Sequence, residues 1–193
     1  MSLYHLREHY DRGELLESDV NRDPIAQCRG WLEEAIAAKI PDANAMALAT
    51  VDPHGRPSNR MVLVKDISPA GLTFFTNYAS RKGEDLAKNP NAALLFFWAP
   101  LHRQIRIDGT VSRIPREESE AYFRSRPYLS QLGAAASAQS APIPDREALE
   151  TKFAALMEQY PEGGPPIPTP ETWGGYLLTP RAIEFWQGRP GRL

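Results

Sequence analysis

Cysteine is almost missing from this sequence. Cys28 is the only one, so no disulfide can form within the chain and no cysteine cluster can hold a metal. Its plain reading is a small buried residue on a helix, and its solitude fits a reducing compartment. Long apolar runs are lacking too. The longest, Ala92 to Pro100, falls far short of the roughly 20 residues a membrane helix needs. Met1 to Asp11 mixes charges and has no apolar signal region, so the expectation is a cytoplasmic protein with no membrane partner. Nor does one sign of charge dominate: 22 Lys and Arg against 24 Asp and Glu leave a net −2, which excludes bulk attraction to nucleic acid. Any basic site must be local. His5, His9, His54 and His102 are scattered without metal-ligand spacing, so no metal is expected. A serine-nucleophile elbow, a Walker loop and a GxGxxG fingerprint are also absent.

What is present is an ordinary globular composition, 42% hydrophobic and 24% charged over 193 residues, which suits one core and a single domain spanning 1–193. The 18 prolines gather after Ser140 and in Pro161 to Pro170, the pattern of ordered loops punctuating a fold. Asp23-Pro24 pairs a capping side chain with proline at the first helical position, and Ile25, Cys28, Leu32, Ala35 and Ile36 follow at helical spacing. These predict a helix over 24–39, ended by Pro41. Met46 to Val51 and Asn59 to Asp66, joined by Asp52-Pro53-His54-Gly55, read as a β-hairpin. Further strands are expected at 72–76, 92–98 and 104–111, with a short helix capped by Ser80. Helices over 115–126 and 144–160 follow, the second carrying Leu149, Phe153, Leu156 and Met157 on one face. Two closing strands, 173–178 and 182–187, are expected to meet at a Thr179-Pro180-Arg181 turn. The sum is an α+β protein, mainly β, whose antiparallel sheet curls into a barrel with peripheral helices.

Three segments could carry chemistry. Ser80-Arg81-Lys82 puts two cations at a helix start, where the helix dipole disfavours them. A bound anion would relieve this; the alternative is that both point into water. Arg60 and Lys65 bound an apolar strand five positions apart, so a regular strand sends them to opposite faces. One shared site would need a bend, a bulge or contacts to different ligand parts from different sides, and the plain alternative is a buried strand emerging into solvent. Tyr122, Arg126 and Ser130, at i, i+4 and i+8, offer a phenol, a guanidinium and a hydroxyl suited to a phosphate monoester, although Pro127 interrupts the helix they would share.

Read in order, Arg60-Met61-Val62-Leu63-Val64-Lys65, Phe75-Thr76-Asn77, Ser80-Arg81-Lys82-Gly83, Arg103-Gln104, Ser125-Arg126-Pro127 with Ser130 to Ala134, Gln139-Ser140 and Glu184 to Gly188 resemble the pyridoxine (pyridoxamine) 5′-phosphate oxidase family. The resemblance runs from about Arg7 to the end of the chain. It implies an FMN-binding split β-barrel that works as a homodimer with FMN at the interface. The implied activity is oxidation of pyridoxamine or pyridoxine 5′-phosphate to pyridoxal 5′-phosphate, with O2 as acceptor and H2O2 as product. Carried over to matching positions, the resemblance assigns FMN to Arg60, Met61, Val62, Leu63, Val64, Lys65, Phe75, Thr76, Arg81, Lys82, Gln104, Gln139, Ser140 and Trp186. It gives the substrate Lys65, Tyr122, Arg126 and Ser130, with Arg7 and Tyr10 in an N-terminal segment, 1–22, that covers it, and Arg192 over the ring as the catalytic candidate. The family pattern continues past Arg192-Leu193 with a histidine, an arginine and a strand, so the C-terminal end reads as truncated. Two other readings are a same-fold FMN oxidase for another substrate, such as those of phenazine synthesis, and a non-catalytic FMN or pyridoxal phosphate binder.

Overall fold

The fold is taken from a computed structural model, which describes residues 1–5 and 13–190. Helix α1 (Pro24–Ala37) starts where the sequence places it, with the Asp23 side chain accepting from Ile25 N at 2.9 Å. Strands β1 (Ala45–Val51) and β2 (Pro57–Ser68) form the expected hairpin. Asp52 organises its turn, accepting from the backbone N–H of His54 and Arg56 and from Arg56 Nε at 2.7 Å. Those bonds, the Arg56 N–H foremost, hold its carboxyl down at about 2 against the ordinary 3.8. The sign follows directly: a depressed folded-state value adds stability above the ordinary range, and that stability drains away as pH falls toward about 2. In urea unfolding, Asp52→Asn should therefore lie below wild type near about pH 6 and converge on it below about pH 2.

Strand β3 (Gly71–Asn77), helix α2 (Arg81–Lys88), strand β4 (Asn91–Trp98) and strand β5 (Arg103–Arg113) follow. Helices α3 (Arg116–Ser125), α4 (Tyr128–Ala136) and α5 (Arg146–Gln159) lie between β5 and the last strand, β6 (Trp173–Gln187). The six strands close into an antiparallel barrel ordered β1-β2-β3-β6-β5-β4. Alternate residues point inward, and Met46, Leu48, Leu72, Phe74, Leu94, Phe96, Ile105, Ile107 and Leu178 are essentially sealed from solvent. Helix α1 closes one end, with Cys28, Trp31 and Ala35 buried against this core. Arg103 stacks its guanidinium 4.5 Å from the Trp31 ring. A second cluster of Phe123, Leu132, Ile167 and Trp173 fastens α3 and α4 to the outside of the barrel. No helix among the described residues is long and apolar enough to cross a membrane.

The structure corrects three expectations. The closing pair of strands is one strand: β6 runs through Thr179-Pro180-Arg181 without reversing. Its halves do not need each other, because 173–178 pair with β3 while 176–187 pair with β5. Pro180 is absorbed by a register shift opposite Asp108/Gly109, a place where a residue without an N–H is tolerated. Helix α4 was not anticipated, and the Tyr122–Ser130 face is not one helix. Arg126 precedes a proline, which drives it out of the helical region to φ −72, ψ 152, so α3 stops there and α4 begins after Pro127. Helix α5 buries none of its side chains fully; only Phe153 and Leu156 of the predicted apolar face pack on the second cluster, while Leu149 and Met157 stay exposed.

Candidate active site

The barrel opens along one seam. β2 and β3 pair only from Val64 onward, with Val64 opposite Phe74 and then Asp66 opposite Thr73, so Lys65 is the extra residue of a bulge. Above that point β2 stays paired with β1, while β3 stays paired with β6 as it is along its whole length. The edge of Arg60–Leu63 facing away from β1 has no strand partner among the described residues. Into this gap opens a cavity of about 930 Å³, bounded by Arg60, Met61, Val62, Leu63 and Lys65 on one side and by Phe75, Thr76 and Asn77 on the other. Consecutive residues of a strand meet one space only at its edge. The bulge and the open edge together settle how Arg60 and Lys65 reach the same cavity.

The wall opposite comes from the helices. Tyr122 on α3, Arg126 and Pro127 at the break, Ser130, Gly133 and Ala134 on α4, and Gln139 and Ser140 beyond it all face the cavity. Phe75, Tyr122 and Trp173 form an aromatic stack, Phe75 lying 4.0 Å from Tyr122 and 5.3 Å from Trp173 between ring centres. Arg126 lies over Trp173 at 4.9 Å, and its Nη1 is buried with no hydrogen-bond partner among the described residues. The proline that breaks the helix therefore turns this guanidinium into the cavity.

Among the described residues four cations, Arg60, Lys65, Lys82 and Arg126, line the space, and no carboxylate does. Burial weakens the proton affinity of three of them: Arg60, where Asp85 opposes the effect and Arg81 adds to it; Lys82, where the Arg60 charge adds to it; and Arg126, where Tyr122 opposes it. Partly desolvated cations gathered with one carboxylate behind them, Asp85 at 4.0 Å from Arg60, make a site for anions. Arg60 and Lys82 lie close enough to influence each other, Lys65 sits on the β2 bulge, and Arg126 stands on the helical wall. Lys82 turns inward from the first turn of α2, its Nζ 2.9 Å from Gln139 Oε1 and 3.3 Å from Ser80 Oγ, and Thr76 Oγ1 donates to the same Gln139 oxygen at 3.2 Å. Arg60 donates to Leu48 O, Thr50 Oγ1 and Ser58 Oγ at 3.0, 2.8 and 2.8 Å. Arg126, Tyr122 and Ser130 line the helical wall.

The remaining predicted residues lie elsewhere. Arg81 is exposed on the solvent side of α2, so helix rotation splits the pair the sequence could not separate. Val64 is buried in the core. Gln104 and Trp186 face each other across β5 and β6, and Gln104 borders a shallower hollow of about 230 Å³ with Ala47, Ala49 and Ala93. Arg7, Tyr10 and Arg192 lie outside the described residues. Trp173, Asn77 and Ser137 line the cavity but were not singled out as ligand contacts. For Trp173 the only local signal was a large aromatic closing a proline-rich loop.

Comparison with known proteins places this geometry. The family model described as pyridoxamine 5′-phosphate oxidase matches residues 32–160, and that described as the pyridoxine 5′-phosphate oxidase C-terminal dimerisation region matches 173–193. The pyridoxine/pyridoxamine 5′-phosphate oxidase of Janthinobacterium sp. (strain Marseille) is 52% identical over 193 residues, covering 100% of this chain and 90% of that protein. That of Bordetella avium (strain 197N) is 54% identical over 193 residues with the same coverage. Among solved structures, PhzG from Burkholderia lata 383, in complex with tetrahydrophenazine-1-carboxylic acid, superposes with a TM-score of 0.87 at 32% identity, covering 93% of this chain and 88% of that one. A pyridoxamine 5′-phosphate oxidase-related, FMN binding protein from Nostoc punctiforme PCC 73102 shares the fold, with a TM-score of 0.65 at 22% identity over 82% of this chain and 83% of that one. With the barrel, the seam cavity and both family models in agreement, the chain belongs to the pyridoxamine 5′-phosphate oxidase family.

Proposed function

We propose that this chain binds FMN and, as a homodimer, oxidises pyridoxamine or pyridoxine 5′-phosphate to pyridoxal 5′-phosphate. The observation that carries this is one cavity lined by Arg60, Lys65 and Lys82 from the barrel side and by Arg126 from the helical wall, with no carboxylate among its described lining residues, which suits phosphate-bearing molecules. The residues present fit the cofactor. Arg60 and Lys82, backed by the N-terminal turn of α2, suit its phosphate. The unpaired edge of β2 offers main-chain donors and acceptors to a flat heterocycle.

Bound FMN would supply the two-electron acceptor for the substrate's C4′, chemistry that no side chain here provides. The chain's own part is to bind, orient and exclude water. Lys65, Tyr122, Arg126 and Ser130 would hold the substrate phosphate, and that remote anchoring fixes the position of the reacting carbon. For pyridoxamine phosphate the balance is substrate, O2 and water giving pyridoxal phosphate, ammonia and H2O2; for pyridoxine phosphate water and ammonia drop out. Gln104 and Trp186, which one chain keeps apart from its own seam, would serve the flavin held by the other protomer. The dimerisation-region match at 173–193 supports that arrangement.

A phenazine-type substrate is the second reading, favoured by the likeness to PhzG. Tyr122, Arg126 and Ser130 in one cavity argue for a phosphate instead. An anaerobic absorbance spectrum of the FMN-loaded protein decides. Bleaching of the flavin band by pyridoxamine 5′-phosphate and its return in air are expected, whereas a flavin that stays oxidised would sink the assignment.

A further inference from the structure

Asp85 does not itself line the cavity, yet it is a carboxylate only 5% exposed on the helix that delivers Lys82. Three residues apart on α2, the two share a face. Thr50 Oγ1 donates to Asp85 Oδ2 at 2.8 Å, and Thr50 is completely buried. The same oxygen accepts from Arg60 Nη1 at 2.8 Å, while Arg60 Nη2 lies 4.0 Å from Asp85 Oδ2.

The proton count fixes the direction of this chain. A guanidinium only donates and an ionised carboxylate only accepts, so the single hydroxyl proton of Thr50 must go to Asp85 and its lone pairs to Arg60. With Thr50 sealed from solvent, water cannot substitute for a lost member. We propose that Asp85 and Thr50 are positioning residues for the cofactor phosphate: the Arg60–Thr50–Asp85 relay locks the Arg60 guanidinium in place and ties the β1–β2 hairpin to the helix that carries Lys82. The inference rests on the FMN reading above and adds residues that the resemblance leaves unassigned.

An opposite expectation follows from charge alone. A buried carboxylate near a phosphate repels it, so its removal would tighten binding. The relay predicts loosening, because an amide at position 85 can donate to Thr50 Oγ1 and turn the hydroxyl proton toward Arg60.

The test compares FMN with riboflavin, which lacks the phosphate, by fluorescence titration of the full chain. Binding of FMN by wild type tests the underlying reading, and the change in the FMN-to-riboflavin affinity ratio tests this inference. Asp85→Asn and Thr50→Val are each expected to cut the ratio by about tenfold, the size expected for a lost hydrogen bond in a charged network. Riboflavin affinity should stay within about twofold, and Thr50→Ser, which keeps the hydroxyl, should restore the ratio. A general loss of structure would lower both flavins alike and would overturn the positioning role, as would an FMN affinity that is unchanged or higher. Should Asp85→Asn fail to fold, the Thr50→Val and Thr50→Ser pair decides alone. A wild type that binds neither flavin would overturn both readings.

Discussion

Arg126→Leu is expected to raise KM for pyridoxamine 5′-phosphate by about 100-fold or more, the cost of removing one member of a buried charge pair. The ligand-free protein should melt no lower than wild type. The two effects share a cause. In the free protein the guanidinium is half-buried, stacks on Trp173 and leaves Nη1 buried without a partner among the described residues. Such a group detracts from stability until an anion arrives, and leucine removes the penalty along with the binding. FMN affinity should hold within about twofold, since Arg60 and Lys82 reach the cavity from the barrel side. Steady-state kinetics with phosphorylated and unphosphorylated substrate, paired with thermal melts, separate the outcomes. An equal loss for both substrates would place Arg126 outside phosphate recognition.

Gly83→Ala should be the most damaging small change near the site. A methyl on Gly83 would lie 2.7 Å from Tyr78 Cα and closer still to the Tyr78 carbonyl. Tyr78 cannot retreat: its N–H donates to Thr172 O at 2.5 Å, its hydroxyl donates to Gly175 O at 3.0 Å, and Arg113 stacks 4.0 Å from its ring. The helix must yield instead, carrying Lys82 and Asp85 with it. Overpacking against fixed backbone costs about 3 kcal/mol, or about 6–12 °C in Tm for a chain of this size. Differential scanning calorimetry and flavin titration should register both the lower melt and weaker FMN binding. A variant melting within about 2 °C of wild type would show that α2 and the Tyr78 turn can part freely.

Much of the barrel was legible because its signals are local. Asp23-Pro24 marks the start of α1, alternation marks β5, and the apolar run from Ala92 marks β4. Strand periodicity left a bend, a bulge or contacts from two sides as the ways Arg60 and Lys65 could share a site, and the structure has a bulge at Lys65. What the chain hid was decided at a distance. Thr179-Pro180-Arg181 looks like a turn until β3 and β5 offer each half of β6 its own neighbour. Arg81 and Lys82 are equivalent as neighbours in sequence; the packing of α2 sends one to solvent and one to the cavity. The roles of Trp173, Thr50 and Asp85 depend on tertiary contacts that no local window contains.

The open seam also bears on how the chain behaves before any ligand arrives. Met61-Val62-Leu63-Val64 is a β-prone apolar run, with Met61 and Leu63 exposed on an edge that has no neighbouring strand among the described residues. Such an edge is a template for self-association, and nascent chains meet one another while it is bare. Charged residues flanking a run of this kind interrupt the template. Arg60 and Lys65 flank this run as well as lining the cavity, so exchanging either for a neutral residue is expected to lower solubility during synthesis along with recognition.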